Sequence, residues 1–165
     1  MPASASRRPL YTPEERARRD ATVWTTVQGV LAPVQFLACA ISVVLVLRYL
    51  ASGDGYMAAT VSILVKTALL LTIMVTGAIW EKVVFGQWLF APAFFWEDVF
   101  SFAVIALHLG YLAALWQGAA PATQMWIALA AYSAYVVNAA QFLWKLRMAR
   151  LDAAAGAAPA QGVPA

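Results

Sequence analysis

The stretch Thr60-Val-Ser-Ile-Leu-Val-Lys-Thr-Ala-Leu-Leu-Leu-Thr-Ile-Met-Val-Thr-Gly-Ala-Ile-Trp80, closed by Glu81 and Lys82, decides the fold. A helix needs about 20 mostly apolar residues to cross a hydrocarbon core of ~30 Å, and this run supplies them. It has no period-two alternation, and in lipid a helix satisfies all of its own backbone polar groups. Three further runs share these properties. They are residues 27–47 closed by Arg48, residues 99–116 after Glu97 and Asp98, and residues 123–144 closed by Lys145 and Arg147. Composition agrees over the whole chain: 63% of its 165 residues are hydrophobic and 12% charged, against about 45–50% and 25% in soluble domains. That balance excludes an ordinary soluble enzyme, a nucleic-acid binder and a disordered regulator. The reading is all-α, an integral membrane four-helix bundle.

Charge gives the orientation. Arg7, Arg8, Arg16, Arg18, Arg19, Lys82, Lys145, Arg147 and Arg150 fall on one side, Arg48 alone on the other, and Lys66 inside a span. The positive-inside rule then places both termini and the 81–98 connection on the cytoplasmic side of the membrane that the chain crosses several times. The net charge of +3 therefore reports topology rather than affinity for nucleic acid. Residues 1–22 lack the apolar core of a signal peptide and read as a basic surface segment. Within it Thr12-Pro13-Glu14-Glu15 has the form of a capping box with proline at the first helical position, and Arg16–Arg19 would lie along anionic lipid. The membrane domain spans residues 23–151, and the Ala/Gly/Pro-rich tail, 152–165, is expected to be disordered.

Polar residues within the spans mark the faces that look inward, because they are costly in lipid. At about 100° per residue Gln28, Gln35, Cys39 and Ser42 share one face of the first span, and Lys66, Gly77, Trp80 and Glu81 one of the second. Glu97, Ser101, His108 and Tyr111 align on the third, and Tyr135, Asn138, Phe142 and Lys145 on the fourth. Interhelical hydrogen bonding accounts for Gln35, Ser42 and Asn138. Lys66, about 9 Å from the end of its span, is expected to snorkel outward, with anchoring of a substrate carboxylate as the alternative. His108, about 15 Å deep, needs a partner: either a hydrogen bond to Tyr111, Asn138 or a backbone carbonyl, or an axial bond to the metal of a bound tetrapyrrole, or a role as proton carrier. One cysteine, Cys39, and one histidine rule out an internal disulfide and a multi-histidine metal centre.

Residues 81–98 are crowded with aromatics and bounded by acids. They read as a segment lying in the interface or re-entering the bilayer, serving as an aromatic anchor, a substrate-binding lip, or both. Glu81, Glu97 and Asp98 cluster at this rim. Like charge and desolvation would raise one another's pKa and keep a carboxyl protonated for general-acid work, whereas the plainer reading of Glu97 and Asp98 is complementarity to a helix N-terminus. These residues leave two classes open: a membrane enzyme acting on a flat apolar substrate, and a non-catalytic tetrapyrrole-binding or assembly protein.

Longer stretches carry a resemblance. Pro9-Leu-Tyr-Thr-Pro-Glu-Glu-Arg16, Val27-Gln-Gly-Val-Leu-Ala-Pro-Val-Gln-Phe36, Ser62-Ile-Leu-Val-Lys-Thr67, Asn138 to Arg147, and above all Met74-Val-Thr-Gly-Ala-Ile-Trp-Glu-Lys-Val-Val-Phe-Gly-Gln-Trp-Leu-Phe-Ala-Pro-Ala-Phe-Phe-Trp-Glu-Asp-Val-Phe100 are similar to the 3-vinyl (older name 2-vinyl) bacteriochlorophyllide hydratases of purple phototrophic bacteria. The resemblance covers residues 9–151 and implies addition of water across the C3 vinyl group of chlorophyllide a or 3-vinyl bacteriochlorophyllide a, in bacteriochlorophyll biosynthesis. It implies no cofactor, since the Mg belongs to the substrate. The partners expected are that chlorophyllide, membrane lipid, and either a second copy of the chain or neighbouring pathway enzymes. For this chemistry Glu97 is taken as the acid, Glu81 as the group that orients or deprotonates water, and Asp98 as the residue tuning both. His108 is the candidate axial ligand to substrate Mg or a second proton carrier. Trp80, Phe85, Trp88, Phe94, Phe95 and Trp96 are taken to form the slot, with Lys66 and Asn138 as further substrate contacts.

Overall fold

The computed structural model describes residues 10–157, with side chains as far as Leu151. Five helices follow one another: α1 (Pro13–Ala21), α2 (Val23–Ser52), α3 (Tyr56–Phe85), α4 (Phe95–Trp116) and α5 (Pro121–Ala157). The last four are long and apolar enough to cross a membrane. At 1.5 Å per residue the 30 residues of α3 extend about 45 Å, well beyond a hydrocarbon core of ~30 Å. Helices of that length carry their polar ends clear of the apolar layer. The expected segment boundaries shift accordingly, because α4 begins at Phe95 and takes Glu97 and Asp98 into its first turn. α5 likewise continues through Ala157, into the stretch read as a tail, while residues 158–165 and 1–9, with Arg7 and Arg8, lie outside the described residues.

α2 pairs closely with α3, and α4 with α5; the two hairpins meet mainly along α2 and α5, while α3 and α4 touch sparsely. Burial follows the spacing expected of helices packed edge to edge. On α2 it falls at Gln35, Cys39, Ser42 and Val46, and on α4 at Glu97, Ser101, Val104, His108 and Tyr111. Val30, Leu37, Ile41, Val44 and many other large apolar side chains point outward. A water-soluble bundle has the reverse arrangement; here lipid solvates the apolar faces and the polar groups pair inside.

The interior pairs are specific. Ser62 donates to the carbonyl of Ala59 at 2.7 Å, so its oxygen accepts from Ser42, which in turn accepts from Tyr132 at 2.5 Å. Three helices are joined by that chain. Lys66 does not snorkel. It is 0% exposed, donates to Gln35 Oε1, and sits 3.7 Å from the centre of the Tyr135 ring. The reason is geometric: its seam faces α2 and α5, so the stem has no open path along the helix to water, and an amide and an aromatic face take the ammonium instead.

The Thr12 capping box forms as read: Thr12 accepts from the Glu15 amide at 3.2 Å and the Glu15 carboxylate accepts from the Thr12 amide at 2.8 Å. α1 then lies against the end of α3. Arg18 Nε donates to the carbonyl of Val84 at 2.8 Å, and the Arg19 guanidinium stands 4.7 Å from the centre of the Tyr11 ring. Part of the basic stretch expected on lipid thus secures α1 to the bundle.

Candidate active site at one rim of the bundle

One end of the bundle gathers α1, the close of α3, the start of α4 and Lys145 of α5. α3 ends at Gly86, whose φ of +83° lets the chain leave the helix while its amide donates to Lys82 O at 3.1 Å. Residues 86–94 then cross the end of the bundle to α4, with Ala91 and Phe94 buried.

Two acids receive this connector. Glu81 Oε2 accepts from the Ala91 amide at 3.1 Å, and Asp98 Oδ2 accepts from the Phe90 amide at 2.7 Å. The two carboxyl groups accept from consecutive amides of one loop, which makes them neighbours. Two shielded, neighbouring carboxyl groups repel when both are charged, so the arrangement favours one acid beside one carboxylate. Both residues are shielded, at 5% and 4% exposure. Proline at 92 supplies no amide, so the two donors are the amides just before it.

Glu97 stands apart from that pair. Its Oε2 meets Lys145 Nζ at 2.5 Å, and a carboxylate committed to an ion pair is a poor proton donor. Asn138 Nδ2 donates to Ser101 Oγ at 2.8 Å, and Ser101 Oγ to the Glu97 carbonyl at 2.8 Å, which stiffens the first turns of α4. Asn138 is thereby engaged in helix contacts. His108 Nδ1 donates to the Val104 carbonyl at 2.8 Å, the backbone partner foreseen among the alternatives, and Nε2 remains without a partner. It lies ten residues beyond Asp98, about 15 Å along the helix. Lys66 is likewise remote from the rim.

The aromatic residues divide into two sets. Trp80, Phe85 and Phe94 meet one another at 5.6–5.9 Å, with Tyr11 stacked on Phe85 at 5.8 Å and Phe142 on Phe94 at 5.9 Å. They form a packed lid over the helix ends, and Trp80 Nε1 is tied to Thr25 Oγ1 at 2.9 Å. Trp88, Phe95 and Trp96 instead lie on the outside, Trp96 at 65% exposure. With them is a residue that the sequence reading passed over. Phe90 has φ +59°, the one positive φ at a non-glycine among the described residues, and its ring stacks on Phe102 at 5.6 Å and meets Phe95 at 5.7 Å. No local signal marks it; only the positive φ, a property of the folded loop, sets it apart.

Fold and site together define a small four-span membrane protein with a shielded carboxyl pair at one rim, beside an outward aromatic wall. The family model described as 2-vinyl bacteriochlorophyllide hydratase (BCHF) matches residues 11–148, and the chain belongs to that family. A 2-vinyl bacteriochlorophyllide hydratase of Rhodobacter capsulatus is 71% identical over 153 residues, 93% of this chain and 90% of the relative. Another, of Cereibacter sphaeroides, is 74% identical over 151 residues, 92% and 94% of the two chains. No solved structure matches the chain.

Proposed function

We propose that this chain hydrates the C3 vinyl group of chlorophyllide a or 3-vinyl bacteriochlorophyllide a, giving a 1-hydroxyethyl group, as a step of bacteriochlorophyll synthesis. Identity of 71–74% to two hydratases over more than nine-tenths of the chain carries this reading. The reaction is redox-neutral and needs no cofactor beyond the Mg that the substrate brings.

The Glu81–Asp98 pair supports a specific division of labour. The protonated member gives its proton to the terminal vinyl carbon, and the cation formed on the neighbouring carbon is delocalised into the macrocycle. Two adjacent carboxylates then face that cation and stabilise it. Water adds to the cationic carbon and returns one proton to the pair, which ends as it began. Glu97, first taken as the acid, becomes through Lys145 a positioning residue for the start of α4. The outward wall of Phe95, Trp96 and Phe102 receives the flat ring system from the bilayer, and Trp80, Phe85 and Phe94 hold the roof. The rim faces the cytoplasm of the bacterial inner membrane, with both termini on that side and the connector at the interface. The charge asymmetry of the flanking segments supports that orientation.

The test is direct. Membranes of a host without tetrapyrrole-modifying enzymes, carrying this chain, are incubated anaerobically with chlorophyllide a. The expected product gains the mass of one water, and its red absorption band moves to shorter wavelength as the vinyl group leaves conjugation. Pigment that co-purifies unchanged would overturn the reading in favour of a carrier.

A further inference from the structure

Asp98 is buried although Phe95 and Phe102, on the same stripe of its helix, are exposed. Phe95, Asp98 and Phe102 stand at positions i, i+3 and i+7 of α4, a single stripe of the helix. Phe90 folds back from the connector onto this stripe, its ring against Phe95 and Phe102 and its amide on the Asp98 carboxylate. Phe90 is 39% exposed while Asp98 is 4% exposed. The ring thus lies over the stripe that carries Asp98, on the outward side.

Its backbone is held under tension. A bulky residue in the left-handed region is disfavoured and persists only where its surroundings impose it. The restraints here are few: the stacked Phe102 ring and the tilted Phe95 ring, the Phe90 and Ala91 amides on the acids, and the turn in which the Phe94 amide donates to Ala91 O at 2.7 Å. Glycine adopts the same φ freely, so chemistry did not require an aromatic residue for the turn. The aromatic ring has a separate use.

We infer that Phe90 is the gate of the acid pair, a specificity-determining residue whose ring closes Glu81 and Asp98 against lipid and water and yields its place on Phe95 and Phe102 to a flat aromatic substrate. The inference rests on the proposed role of the acids but is tested apart from it. An incoming macrocycle replaces one ring-on-ring stack with another, so the exchange costs little contact energy, while a slender lipid chain offers no such replacement. The closed ring also limits the water that can reach the cation.

The experiment uses the full chain in membranes and a lipid-soluble carbodiimide, which modifies protonated carboxyl groups, with the labelled sites read by mass spectrometry. Phe90→Gly keeps the backbone path and removes the ring. Labelling at Glu81 or Asp98 should rise at least about tenfold relative to the unmodified chain, with Glu97, paired to Lys145, as the internal reference. Phe90→Leu retains an apolar cover and should stay near the unmodified rate. If the glycine variant does not assemble, Phe90→Ala against Phe90→Leu makes the same comparison. Equal labelling with and without the ring overturns the gate. If labelling rises while Glu81→Gln and Asp98→Asn hydrate the pigment normally, the gate stands and the catalytic role of the acids falls.

Discussion

Replacing Glu81 and Glu97 separately by glutamine separates the two acids by function. In Glu81→Gln the amide oxygen can still accept from the Ala91 amide, whose bond to Glu81 is 3.1 Å, and the new NH₂ can donate to Asp98. Shape and hydrogen bonds survive, but the proton that the two carboxyls exchange is gone. General acid–base catalysis contributes about 10²–10⁴-fold, so the hydration rate should fall by that factor, about 2.7–5.4 kcal/mol of barrier, with little change in KM or in thermal stability. Glu97→Gln removes one side of the ion pair with Lys145. The side chains are 25% and 8% exposed, so the loss should lie above that of exposed pairs, about 1–3 kcal/mol, with activity within about tenfold. Initial rates of hydrated pigment formation, measured by mass in membranes at matched protein levels, decide between them. A Glu97→Gln chain that is inactive beside a Glu81→Gln chain near normal would refute the assignment of the acid.

Three further outcomes follow from the packing. Lys66→Met strands the Gln35 side chain, whose oxygen loses its donor and whose Nε2 is already without a partner; unfolding in micelles should show a loss of about 0.6–1.7 kcal/mol, recovered in part by Lys66→Met with Gln35→Leu. His108→Gln, remote from the rim, should hydrate pigment within about tenfold of the unmodified chain; loss of activity with retained fold would restore a metal-binding role. Burial pushes the Tyr11 hydroxyl above its ordinary value of 10.0, against the opposing pull of Arg19. A phenol whose ionisation is harder when docked stabilises docking fully below pH 10.0 and loses that contribution as pH rises from there towards the docked value. Hydrogen exchange of α1 should accelerate above that pH, and Tyr11→Phe should abolish the dependence.

The four spans, their inward faces and the capping box at Thr12 were legible because each is a local property. Length and hydropathy select a spanning helix, a 3.6-residue period selects its face, and a capping box needs only four residues. The boundaries were less so: the apolar run marks what lipid requires, while hydrogen bonding carries a helix on through charged residues such as Glu97 and Asp98. Lys66 shows the same limit. Snorkelling is the default for a lysine beside a membrane surface, and only the packing of α2 and α5 around it closes that route.

The site divides along the same line. Sequence by itself determined that three acids and a cluster of aromatics belong to one rim, since helix ends and their flanking loop are adjacent in the chain. Tertiary structure decided the partners: Glu81 with Asp98 from the end of one helix and the start of another, Glu97 with Lys145 of α5, and Trp80, Phe85 and Phe94 as roof rather than wall. It also set the Phe90 ring against Phe95 and Phe102, with a φ of +59° at Phe90. Pairing of side chains depends on where helices separated by tens of residues converge, to within the few ångströms over which a hydrogen bond forms, and no local pattern encodes that distance.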